Sequence, residues 1–131
     1  MKIVVLIARI LLGLVFLLFG LNKIVPFIPS PPPAGLAGQF VTALTTSKYL
    51  VFVGLCESIG GLLLLSGRYI PIALTILGPI IVNILLVGLL LTTTALPSGI
   101  VVAILWFVVF WSVRSAFSGI FQQRVPAPPG A

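Results

Sequence analysis

The sequence predicts an all-α integral membrane protein: a four-transmembrane-helix bundle with a short amphipathic exoplasmic segment between helices 1 and 2. Three observations carry this fold class. Hydrophobic residues make up 60% of the 131-residue chain and charged residues 6%, where a soluble domain carries roughly a quarter charged. Four apolar stretches, at about 3–21, 49–66, 70–91 and 99–116, have the length of roughly 18 to 20 residues that a helix needs to cross hydrocarbon. No in/out alternation of strand type is visible, and lipid leaves helices or closed barrels as the only ways to satisfy a spanning backbone.

The elements follow in order. The first span starts behind Lys2, is interrupted by Arg9, and lacks a small-x-small cleavage site, so it reads as a retained helix rather than a signal peptide. After it comes "PFIPSPPPAGLAGQFVTALTTSK". Residues 26–33 are proline-rich and favour an extended polyproline conformation. Residues 34–47 place Leu36, Phe40, Val41 and Leu44 at helical spacing, which predicts an amphipathic helix lying on or re-entering the membrane. "SGRY" is a tight turn between spans two and three, and "TTTALPSG" links spans three and four. Residues 1–121 thus form one membrane domain, and the proline-rich residues 122–131 a disordered tail.

Four spans put both termini on one side. That side carries Lys2, Arg9, Arg68, Arg114 and Arg124, and the other Lys23 and Lys48. The positive-inside rule then makes the termini cytoplasmic and the long first loop exoplasmic.

Composition also excludes functions. Cys56 is the single cysteine, there is no histidine, and Glu57 is the only side-chain carboxylate. A protein-built zinc, haem or di-iron centre lacks ligands, so no cofactor is built in. The net charge of +6 comes from basic residues scattered at the ends of apolar runs, which fits membrane topology and not nucleic acid. Cys56 behaves as a small apolar residue, and Trp106 and Trp111 read as lipid-facing or interfacial anchors.

The polar residues at depth define the candidate site. At about 1.5 Å per residue, Glu57 lies ~13 Å and Arg9 ~9 Å from the cytoplasmic ends of their spans. An isolated charge at mid-bilayer costs about 2.5–3.5 kcal/mol on insertion scales, so an Arg9–Glu57 ion pair is expected inside the bundle. Arg9, Gly13, Phe16, Gly20 and Lys23 share one helical stripe; Gly54, Glu57, Gly61, Leu64 and Arg68 share another. Glycines on both stripes predict close packing of spans one and two. In span three, Pro79 frees the Thr75 carbonyl and predicts a kink. Asn83, one turn on, lies nearer the level of Lys23. Arg9, Glu57, Asn83 and Lys23 are the candidate ligand-binding residues; the alternative is that they only fix helix packing.

These motifs resemble the DoxX-like family of small four-helix bacterial membrane proteins. The resemblance is carried by "ARILLGLVFLLFGLNKI" and "ESIGGLLLLSGRY", through Arg9, Gly13, Gly20, Lys23, Glu57, Gly60, Gly61, Gly67 and Arg68. "AGQFVTALTTSKYL" is similar to the family's segment before helix two, and "LGPIIVNILL" to its helix three. Relatives often carry a histidine a few residues after that Asn; this chain reads "LLVGLL" there, so chemistry resting on that histidine is absent. The resemblance implies the bacterial inner membrane. It also implies a non-catalytic subunit or anchor of a redox-linked system, with a bound quinone or lipid and other membrane-associated redox proteins as partners. A homo-oligomer is also compatible.

Two alternatives remain at this point. One is a small proton-coupled exporter, which also relies on a membrane carboxylate; Glu57 is however in helix two, with an expected counter-charge. The other is a purely structural scaffold.

Overall fold

The computed structural model describes residues 2–27, 34–120 and 122–124. The polyproline expectation at 28–33 and most of the expected disordered tail, 125–131, lie outside the described residues. Five α-helices and no strand are found among those described: α1 (Lys2–Ile24), α2 (Gly35–Thr46), α3 (Tyr49–Ser66), α4 (Ile70–Leu90) and α5 (Leu96–Ser112). Four of them are long and apolar enough to cross a membrane, and the 3-10 turn Thr93–Ala95 extends the last of these spans. The fourth span, α5, stops at Ser112, short of the expected 116, and is followed by a 3-10 turn over Arg114–Phe117.

Local chemistry sets these ends. α1 stops just before Pro26, because the residue preceding a proline disfavours helical geometry; the Asn22 side chain accepts a bond from the Phe27 N–H at 2.9 Å. α3 ends on Gly67, whose φ of 74° is the left-handed conformation that glycine adopts at low cost. The Gly67 N–H returns to the carbonyls of Leu63 and Leu64. Prolines open α4 and α5 in their first turns, where a missing N–H costs nothing.

The four long helices form a closed ring in which α1 packs on α3 and α5, and α4 on α3 and α5. Successive helices run antiparallel. Leu12, Phe16, Leu64, Leu74, Leu77 and Val109 fill the centre. Most other apolar side chains point outward, as Ile3, Leu18, Ile59, Leu89 and Phe107 do. With no hydrophobic force between helices in lipid, close packing must hold the ring. α2 is not part of the ring: it lies against α3.

The tightest seam joins α1 to α3, glycine face to glycine face. A Cβ on Gly61 would lie 2.7 Å from the Gly13 carbonyl oxygen, and one on Gly54 2.7 Å from that of Gly20. These contacts set the register: Gly13 opposes Gly61, and Gly20 opposes Gly54. Ser58, whose buried hydroxyl has no protein partner among the described residues, sits in the same seam against Gly20.

Trp106 corrects the expectation of a lipid-facing anchor. It is half-buried, and its indole N–H donates to the Leu74 carbonyl at 3.0 Å. Its ring stacks on Phe110 with centroids 5.0 Å apart. The replacement Trp106→Phe should keep the stack and lose the bond, lowering stability by about 1 kcal/mol, measurable by thermal unfolding in detergent.

Candidate functional site

The expected Arg9–Glu57 pair does not form. Glu57 Oε2 instead accepts from Lys23 Nζ at 3.0 Å, and Arg9 Nη1 donates to the carbonyl of Leu64 at 2.5 Å. The reason is the direction in which helical side chains lean. Every Cα–Cβ bond tilts toward the N-terminus of its own helix. In an antiparallel pair, Lys23 therefore leans back along α1 toward mid-bundle, and Glu57 leans along α3 toward Lys23. Arg9 leans the same way as Lys23, toward the N-terminus of α1, which carries it away from Glu57 and toward the C-terminal end of α3.

Each cation meets a negative partner where it lands. Leu64 O is among the last carbonyls of α3, which carry the helix's negative partial charge, and its backbone donor is the Gly67 N–H at 3.3 Å. Arg9 completes that end, and glycine at 67 leaves room: a Cβ there would lie 2.8 Å from Arg9 Nη1. Lys23 reaches Glu57 across Gly54, where a Cβ would meet the Lys23 Cβ at 2.9 Å. The glycine stripe thus lets the lysine stem cross the α3 backbone. Replacing Arg9 by Met should destabilise the bundle by about 1–2 kcal/mol while leaving the Lys23–Glu57 pair intact. Thermal unfolding in detergent, with and without Glu57→Gln, checks both halves.

The pair forms part of the wall of a cavity of about 880 Å³ at the α2 end of the bundle. Lys23 of α1, Phe40 and Leu44 of α2, Tyr49, Cys56 and Glu57 of α3, and Pro79 and Asn83 of α4 contribute to the lining. α2 roofs the space. Its Phe40, 42% exposed, and Leu44 contribute to the lining, while Leu36, 62% exposed, does not. Glu57 is 2% exposed and the Lys23 side chain 28%, so the carboxylate is the inner partner and the ammonium the outer one.

Asn83 is exposed on the cavity wall. Its Nδ2 donates to the Pro79 carbonyl at 2.9 Å, one turn back on its own helix. Pro79 lies inside α4 and has no N–H, so the Thr75 carbonyl loses its helical donor.

Of the four residues expected to form a site, three therefore meet at one cavity: Lys23, Glu57 and Asn83. Arg9 lies at the other end, on a separate groove. Sequence reasoning missed Tyr49, Phe52 and Cys56, which also line the cavity. Their spacing of i, i+3 and i+7 marked one face of α3, but a run apolar on all sides hides which face matters. Among the described residues no group of three His, Cys, Asp or Glu side chains could hold a metal ion. The chamber offers an apolar volume, ammonium and amide donors and a carboxylate acceptor. That set suits an amphipathic molecule with a small polar head.

No curated protein matches the chain, and neither does any solved structure. Residues 4–87, from the start of α1 into the end of α4, match the family model described as DoxX. The chain belongs to the DoxX family of membrane proteins.

Proposed function

We propose that the protein is a non-catalytic membrane subunit or anchor of a redox-linked system, whose cavity under α2 holds a quinone or lipid headgroup. The supporting observation is the placement of Lys23, Glu57 and Asn83 on the wall of one cavity of about 880 Å³ whose lining is otherwise mostly apolar, Ser47 and Tyr49 adding a hydroxyl each. Ligand pockets of this kind measure about 300–1,000 Å³ and carry a few polar groups on apolar walls.

A quinone fits the donor set. The Lys23 ammonium has N–H groups beyond the one given to Glu57, and the Asn83 amide one beyond that given to Pro79. Both can serve ring carbonyl oxygens, while Phe40, Tyr49 and Leu50 supply apolar surface for the ring and tail. A bound quinone would supply a two-electron, two-proton carrier. The chain's own role is to seat the headgroup and keep it at a fixed depth.

Residues 1–121 act as one domain in the bacterial inner membrane, with both termini cytoplasmic and α2 exoplasmic. The basis is the five-to-two division of Lys and Arg between the sides. Membrane-associated redox proteins are the expected partners, docked alone or on a homo-oligomer.

The test is gentle purification in native lipid, followed by identification of co-purifying proteins and extracted lipids. Recovery of quinone at near-stoichiometric amounts, reduced at least fivefold in Lys23→Met or Asn83→Leu, is the expected result. A lone monomer carrying neither quinone nor partner would refute the proposal.

A further inference from the structure

A second groove lies at the opposite end of the bundle, between α1 and α5. It measures about 990 Å³ and is lined by Lys2, Arg9, Arg114 and Trp111 together with apolar residues such as Ile104 and Phe107. Its charge is one-sided. The only side-chain carboxylate of the chain is Glu57, which is engaged at the other end by Lys23.

The three cations are held from different directions. Lys2 and Arg9 are seven residues apart and share a face of α1. Arg114 Nη1 donates to the Trp111 carbonyl at 2.6 Å, and its guanidinium carbon stands 4.3 Å from the centre of the Trp111 ring. Arg9 spends one N–H on Leu64, and a guanidinium has five. Below this rim the groove runs along Phe107 and Ile104, both strongly exposed side chains of α5, which is part of a span of membrane-crossing length.

We propose that this groove is a binding site for an anionic phospholipid, with the phosphate at Lys2, Arg9 and Arg114 and an acyl chain along Phe107 and Ile104. Charge complementarity selects an anion. The apolar floor within a spanning segment selects a lipid over a soluble one. Basic pockets between membrane helices take acidic lipid headgroups for the same reason. The site is separate from the cavity under α2 and does not depend on what that cavity binds.

The test is native mass spectrometry of delipidated full-length protein, titrated with phosphatidylglycerol, cardiolipin, phosphatidylethanolamine or inorganic phosphate. The two acidic lipids should bind at least tenfold more tightly than phosphatidylethanolamine. Because each cation contributes roughly fivefold toward an acidic lipid surface, the double variant Lys2→Gln/Arg114→Gln should lose about 25-fold. Arg68→Gln and Lys48→Gln, which change charge outside the groove, should stay within twofold. Ile104→Trp, which fills the floor and keeps every charge, should also weaken lipid binding. The proposal is overturned if the three lipids bind alike, if the double variant loses no more than Arg68→Gln, or if inorganic phosphate displaces the lipid completely.

Discussion

Lys23→Met is expected to destabilise the protein by about 3 kcal/mol, the most of any single change to a charged residue. It leaves the Glu57 carboxylate, 2% exposed, without its counter-charge among the apolar walls of the cavity. Breaking one side of a buried pair costs about 3–5 kcal/mol, and a lone charge in a spanning helix about 2.5–3.5 kcal/mol. Glu57→Gln should cost less, about 1 kcal/mol, because the ammonium left behind is the outer partner and can reach toward the membrane surface. The double variant Lys23→Met/Glu57→Gln should regain about 2 kcal/mol over Lys23→Met alone. The corresponding cycle of Arg9→Met with Glu57→Gln should show coupling below about 0.5 kcal/mol, since the two side chains share no partner. Reversible unfolding in mixed micelles measures both cycles. Stronger coupling through Arg9 than through Lys23 would contradict the geometry.

The second large effect concerns the seam of α1 and α3. Gly61→Ala and Gly20→Ala should each cost about 2 kcal/mol, within the usual overpacking range. In both cases the new methyl meets backbone atoms at 2.7 Å, so no side chain can turn aside and the helices must separate. Separation also lifts Lys23 away from Glu57, so Gly20→Ala should additionally weaken that ion pair. Gly78→Ala is the control: its Cβ would meet only the Trp106 ring, at 3.6 Å, and stability should stay within about 0.5 kcal/mol. If Gly61→Ala is as neutral as Gly78→Ala, the close approach of the two backbones is wrong.

The fold class was open to reading because membrane helices announce themselves locally. Length and hydropathy are properties of a single segment, and the proline and glycine punctuation at Pro26 and Gly67 stops helices wherever they fold. The glycine seam was legible for a related reason: Gly13 and Gly20, or Gly54 and Gly61, recur seven residues apart and so share a face on any helix. The ion pair was not. Counting residues from each span's end placed Arg9 within reach of Glu57, yet the partner is Lys23, because side chains lean toward their own helix's N-terminus and the two helices run oppositely. Trp106 was misjudged in the same way: a helix apolar all round gives no sign of which aromatic turns inward.

What the sequence determined by itself is the material. It specified four apolar helices, one carboxylate and seven cations to accompany it, and glycines at helical spacing. Those follow from hydropathy, backbone propensity and composition, each of which acts within a few turns of chain. The tertiary structure alone decided the partnerships: Lys23 with Glu57, Arg9 with the end of α3, and α2 as the roof of a cavity on which Lys23, Glu57 and Asn83 meet. The physical reason is that an ion or a polar group in lipid must settle on whatever lies within a few ångströms. That neighbourhood exists only once antiparallel helices have locked at a particular register.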